Sequence, residues 1–121
     1  DIWGDRFEGN FYASTSGGDI KLFCNNAKIE ASTSGGDITV EYTGVNQGID
    51  LSTSGGDIDV KVPADFNAKV DLSTSGGDVD CNLTLNDVKR LSETEIIGNI
   101  NKGGNPLSAS TSGGDVTVYK K

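Results

Sequence analysis

Apolar and polar residues alternate with period two along most of this chain, in short stretches broken by Gly-Gly pairs. Around the third pair, Ile49, Leu51 and Thr53 alternate with Asp50, Ser52 and Ser54. Beyond it, Ile58, Val60 and Val62 alternate with Asp57, Asp59 and Lys61. Such alternation predicts half-buried strands with one face on a core. Gly-Gly joins the two strands of each unit, and its access to positive φ suits a tight corner. No segment has convincing helical periodicity, although residues 87–95 are irregular enough for a short helical turn.

The pattern repeats. The hexapeptide Ser-Thr-Ser-Gly-Gly-Asp starts at Ser14, Ser32, Ser52, Ser73 and Ser110, always followed by Ile or Val, with successive spacings of 18, 20, 21 and 37 residues. The corners are therefore Gly17, Gly18 and Asp19; Gly35, Gly36 and Asp37; Gly55, Gly56 and Asp57; Gly76, Gly77 and Asp78; Gly113, Gly114 and Asp115. The last spacing is close to two repeats, which predicts a degenerate coil at about 84–106. Asp1-Ile2 lies one repeat length before Asp19-Ile20, so residues 1–121 read as one repeat domain that begins in mid-repeat, as a piece of a longer array would.

Aligned units give six inward columns. Before the corner they are Phe11, Ile29, Ile49, Val70 and Leu107; then Ala13, Ala31, Leu51, Leu72 and Ala109; then Thr15, Thr33, Thr53, Thr74 and Thr111. After it come Ile20, Ile38, Ile58, Val79 and Val116; then Leu22, Val40, Val60, Cys81 and Val118; then Cys24, Tyr42, Val62, Leu83 and Lys120. The charge at Lys120 suggests that the stack ends there. Two all-β architectures fit: a parallel β-solenoid of about six coils, 18–21 residues and two short strands each, or an antiparallel β-hairpin array. The solenoid is favoured, because coils of near-constant length set identical residues over one another and leave no apolar face uncovered.

The Thr-Ser-Gly-Gly-Asp-Ile/Val units resemble the bacterial adhesin-type family of β-strand repeat proteins. The end of the chain, from Gly98-Asn99-Ile100 through Gly103-Gly104 to Ser112-Gly113-Gly114-Asp115-Val116, is similar to that family's closing unit. The resemblance implies a β-solenoid in an envelope-associated, extracytoplasmic or cell-surface bacterial protein, and says little about activity.

Composition narrows the function further. Eighteen acidic against ten basic side chains give a net charge of −8, which argues against nucleic acid and anionic bilayer surfaces as partners. No apolar run approaches a membrane span, so direct insertion of this segment is not expected. Histidine is absent, which removes the commonest general base and metal ligand.

The column Asp19, Asp37, Asp57, Asp78 and Asp115 is the most conspicuous polar feature. Carboxylates stacked at ~4.8 Å repel by about 1 kcal/mol even in water. The expected remedy is hydrogen bonding to each corner's own Ser hydroxyl or backbone N–H groups. Asp57, Asp59, Asp78 and Asp80, on coils expected to be adjacent, form a candidate calcium cluster, although the spacing lacks the nonapeptide rhythm of calcium-loaded β-rolls. The outward Ser columns weakly resemble the hydroxyl ladders of ice-binding solenoids, but here Thr points inward. Cys24 and Cys81 fall about three coils, ~14 Å, apart, too far for a disulfide, and both are expected free, buried and inert. Phe66, in the longest loop, either anchors a ligand or caps the core, while Trp3, Phe7 and Phe23 offer aromatic surface.

No catalytic residue, cofactor or resident metal is expected. The reading is a non-catalytic structural or adhesive module, with a glycan or protein as surface ligand; the alternative is a carbohydrate-active β-helix working through surface Asp residues. The first coil carries no recognisable cap, which predicts that it is covered either by upstream sequence or by self-association with another copy of this chain.

Overall fold

The computed structural model describes residues 2–44, 47–63, 66–82, 85–92 and 94–120, with strand placement alone for residues 2–8, 87, 90 and 91. Eleven strands appear: β1 Ile2–Thr15, β2 Ile20–Thr33, β3 Ile38–Thr43, β4 Ile49–Thr53, β5 Ile58–Val62, β6 Ala68–Thr74, β7 Val79–Cys81, β8 Leu85–Leu91, β9 Glu95–Ile100, β10 Pro106–Thr111 and β11 Val116–Lys120. No helix occurs among the described residues; residues 87–92, open to a helical turn in sequence, are strand up to Leu91.

All eleven strands belong to one curled sheet with two halves. Strands before a Gly-Gly corner stack as β1, β2, β4, β10 and β6; strands after it stack as β1, β2, β3, β5, β11 and β7. Every one of these pairs is parallel. The hairpin-array alternative is thereby overturned: Gly-Gly turns the chain between halves of the sheet and not back along a neighbouring strand. The register reproduces the aligned columns, with Phe11, Ile29, Ile49, Leu107 and Val70 side by side in one half and Ile20, Ile38, Ile58, Val116 and Val79 in the other. These side chains form a single core in which Ile29, Ile38, Ile58, Leu72 and Leu107 are fully buried.

Spatial order departs from sequence order. The last unit, β10 and β11, lies between the third and fourth, so β4 never pairs with β6, nor β5 with β7. Two expectations are corrected with it. The segment expected to be a degenerate coil at about 84–106 is an antiparallel hairpin, β8–β9, whose second strand runs antiparallel to β6. Lys120 does not end the stack, since β11 lies inside it beside Val62. The reason is local. β9 occupies the outer edge of β6, and the chain then crosses over the start of β6 to its inner edge.

The crossing is a tight turn. Asn101, Gly103 and Gly104 have φ of 55°, 74° and 138°, the left-handed region that glycine and asparagine tolerate best. Asn101 Nδ2 donates to the Phe66 carbonyl at 2.6 Å, and Lys102 N to Asn67 Oδ1 at 3.2 Å. Lys69 N closes the turn by donating to Asn105 O at 3.1 Å.

Away from the Gly-Gly corners, the core is finished by aromatics. Phe66 is buried and meets Tyr42 edge-to-face, ring centroids 5.4 Å apart. The Tyr42 hydroxyl accepts from Ala27 N and donates to Ala27 O, both at 2.7 Å. Of the two readings of Phe66, the core cap is the one realised. Leu83, assigned to the sixth column, lies outside the described residues.

Candidate functional site

The hexapeptide builds a ladder of side chain to backbone bonds along the corner. Four of the five Thr hydroxyls donate to the carbonyl of the second glycine in the neighbouring corner: Thr33 to Gly18, Thr53 to Gly36, Thr111 to Gly56 and Thr74 to Gly114, at 2.7–3.0 Å. The same oxygens accept from the N–H of their own corner's second glycine at 3.2–3.3 Å. Thr suits this inward position because it fills core volume with its methyl while satisfying two backbone groups.

The Asp carboxylates run the same way. Asp19 Oδ1 accepts from Asp37 N, Asp37 Oδ1 from Asp57 N, Asp57 Oδ1 from Asp115 N, and Asp115 Oδ1 from Asp78 N, at 2.8–2.9 Å. A donor to a carboxylate makes a charge-assisted bond, and this offsets the repulsion along the column. These donors are backbone N–H groups, one of the two kinds expected from the sequence, but they are supplied by the neighbouring corner.

The glycines need correction too. Positive φ occurs among the described glycines at Gly9, Gly44, Gly48, Gly103 and Gly104, none of them in a corner. What the corner demands is close approach: a Cβ at Gly36, Gly56, Gly114 or Gly77 would collide with the carbonyl oxygen of Gly18, Gly36, Gly56 or Gly114. At the first glycine of each pair the space is open or ordinary at Gly17, Gly35, Gly55 and Gly113, and tight only at Gly76, 3.0 Å from Ser112 O.

The candidate calcium cluster is dispersed. Asp115 and Thr117 stand between Asp57 and Asp59 on one side and Asp78 and Asp80 on the other. No group of three or more His, Cys, Asp or Glu fit for a metal ion exists among the described residues. Neither Cys24 nor Cys81 is in a disulfide, and burial pushes the Cys24 thiol up to about 11. Cys81 is only half-buried, and four strand steps separate it from Cys24. Asp59 lies on the outer face after the corner. Desolvation, then the charges of Asp57 and Asp37, push its carboxyl above the ordinary range, while the Tyr119 hydroxyl and Lys61 draw it down.

The feature missed in the sequence is Tyr12. It alternates with inward Phe11 and Ala13 and is 73% exposed, the most exposed large apolar side chain among the described residues. Its neighbours along the row are Glu30, Asp50, Ser108 and Asp71. The ring separates two shallow depressions. One, of about 210 Å³, is lined by Tyr12, Glu30, Ser32, Asp50 and Ser52 among others; the second, of about 190 Å³, by Asn10, Phe11, Tyr12, Lys28 and Glu30. The available signal was that Tyr12 is the one aromatic in an outward row otherwise built of Asp, Glu and Ser. Phe23 is half-buried with Lys21 Nζ 5.7 Å from its ring centre, and the side chains of Trp3 and Phe7 lie outside the described residues.

No helix among the described residues is long and apolar enough to cross a membrane. No curated protein and no solved structure matches the chain. A family model described as Toastrack DUF4097 matches residues 11–119, which takes in all five hexapeptide corners. Their parallel stacking gives that family's β-solenoid-like architecture its repeating unit here, and the chain belongs to the Toastrack DUF4097 family.

Proposed function

We propose that this chain is a non-catalytic structural and adhesive module, displayed outside the cytoplasm, whose ligand is a polysaccharide held against the Tyr12 face. One observation carries the reading: a large aromatic ring stands 73% exposed on the outer sheet face, flanked by carboxylates and hydroxyls. An exposed aromatic face stacks on the C–H face of a sugar ring, and Glu30, Asp50, Ser32 and Ser52 supply acceptors and donors for its hydroxyls. The depressions are smaller than the ~300–1,000 Å³ of enclosed small-molecule pockets, which favours an extended chain lying across them over a buried ligand. The carboxylates favour a neutral sugar over an acidic one.

The non-catalytic part of the reading is supported by how the corner carboxylates are used. Asp19, Asp37, Asp57 and Asp115 each hold a neighbouring backbone N–H, which fits a load-carrying role better than a proton-transferring one. The test is a neutral-glycan array followed by titration of the best ligand, with Tyr12→Ala as the variant. Binding should fall at least tenfold in the variant while its unfolding midpoint stays put. Absence of glycan binding, or binding indifferent to Tyr12→Ala, overturns the adhesive site. Turnover of a polysaccharide that is lost in Asp59→Asn overturns the non-catalytic reading.

A further inference from the structure

The inserted last unit has a consequence that the fold alone does not require. Units one to four run in order from β1 to β7, yet between the third and fourth there is a slot one strand wide, filled only by residues 106–120. Both walls of the slot are parallel strand edges in full register with the insert: Leu107 lies between Ile49 and Val70, and Val116 between Ile58 and Val79. The bonds that seat it are those of every other junction. Thr111 donates to Gly56 O and Asp115 N to Asp57 Oδ1 on one wall; Thr74 donates to Gly114 O and Asp78 N to Asp115 Oδ1 on the other. The slot therefore recognises a Thr-Ser-Gly-Gly-Asp-Val unit, and nothing in it distinguishes the chain's own copy from that of another molecule.

We propose that residues 106–120 are an exchangeable insert, and that a second copy of this chain docks by reciprocal exchange, each insert filling the slot of the other molecule. The hinge is the turn 101–105, which is short, exposed except at Gly103, and has three residues at positive φ. Closed and exchanged forms bury the same contacts, so the tether decides between them. A flexible tether confers an effective concentration in the millimolar range, which keeps the closed monomer dominant at micromolar protein. A tether too short to cross β6 leaves exchange as the sole way to fill the slot. Ile100 and Pro106 flank β6 on opposite edges, beside Ala68 and Lys69, and are thus about two strand spacings, ~10 Å, apart. Removing residues 102–104 leaves three steps between Ile100 and Pro106, about 10–11 Å of fully extended chain at ~3.3–3.6 Å per residue, which at best equals the straight-line gap and is too little to arch over the intervening backbone.

The deletion variant should run by light scattering at twice the 12.6 kDa monomer mass, while the parent stays at that mass. A second measurement leaves the hinge intact. Ser110 is paired with Ser52, at a strand spacing within the range a disulfide accepts. Full-length chains carrying Ser52→Cys and Ser110→Cys separately, both with Cys81→Ser, are unfolded together, refolded at high concentration and oxidised. A covalent heterodimer should form, and its yield should fall at least tenfold when refolding is done at hundredfold dilution. A monomeric deletion variant with the parent's unfolding curve, or no heterodimer at any concentration, overturns the proposal. If the deletion variant does not fold, the cysteine pair decides.

Discussion

Gly55 and Gly56 are adjacent in one corner, yet the structure predicts opposite responses to alanine. At Gly56 a Cβ would collide with the Gly36 carbonyl oxygen and lie 2.7 Å from Asp37 Oδ1. Neither atom is free to retreat. Gly36 O accepts from the Thr53 hydroxyl at 2.9 Å, and Asp37 Oδ1 accepts from Asp57 N at 2.8 Å. Overpacking of a tight site costs about 1–3 kcal/mol, and each hydrogen bond pushed out of line adds about 1 kcal/mol. Gly56→Ala should therefore lose about 3–5 kcal/mol. At Gly55 the nearest atoms are Ser34 O at 3.8 Å and Gly35 Cα at 4.0 Å, and φ is not positive. Gly55→Ala should gain about 0.4–1 kcal/mol by restricting the unfolded chain. In a domain of 121 residues one kcal/mol moves the midpoint by about 4 °C, so the two variants should melt about 14–24 °C apart. Thermal and urea unfolding followed by circular dichroism read this directly. Equal losses at the two positions, or the greater loss at Gly55, would refute close approach as the reason for the pair.

Other expectations follow from single contacts. Thr53→Val keeps the volume but strands Gly36 O and Gly56 N, so it should cost about 1–3 kcal/mol, and more than Thr53→Ser, by urea titration. Tyr42→Phe keeps the edge contact with Phe66 and removes the hydroxyl that serves both Ala27 backbone groups; a loss of about 1–3 kcal/mol is expected, and no loss would mean that water replaces it. Asp59 has its carboxyl raised in the folded state, so the stability linked to its protonated form is full below the unfolded value and is lost as pH rises through the folded one. Asp59→Asn should then be the more stable chain at neutral pH, with its advantage vanishing below the ordinary carboxyl range; parallel urea midpoints across pH that never converge would refute this.

The pairing register was legible because the repeat is nearly perfect. Once Thr33 and Thr53 are aligned, Ile29 must lie beside Ile49 and Ile38 beside Ile58, and the structure has them so. Strand direction was legible for a physical reason as well, since stacking identical corners lets one side chain to backbone bond serve at every level. The order of the levels was not legible. Leu107 packs as well beside Val70 as beside Ile49, because column one is uniformly apolar, and nothing local ranks one neighbour over another. The reason for Gly-Gly was misread because positive φ is the commoner demand for glycine, whereas crowding against the preceding corner exists only once corners are stacked. Tyr12 was legible in direction, since it alternates with inward Phe11 and Ala13, but an outward side chain carries no packing signal that would set it apart from its row.

A stack of identical corners carries no internal instruction to stop, and unpaired strand edges invite further pairing. Reversal of strand direction provides the stop here. β9 pairs antiparallel with β6 from Ala68 opposite Ile100 to Ser73 opposite Glu95, so the outer edge of that half offers no parallel register. β9 also brings no Thr-Ser-Gly-Gly-Asp corner, and its turn is held instead by Ser92, whose hydroxyl accepts from Glu95 N at 3.1 Å while Ser92 N donates to Glu95 O at 2.9 Å. In the other half the stack ends on β7, three residues long, beside the exposed carboxylate of Asp78. A short strand next to a charge is a poor template. The hairpin that blocks growth at this end is also the segment that carries the chain to the far side of β6. Termination of the stack and insertion of the last unit are thus one structural event, set by the polarity of β9.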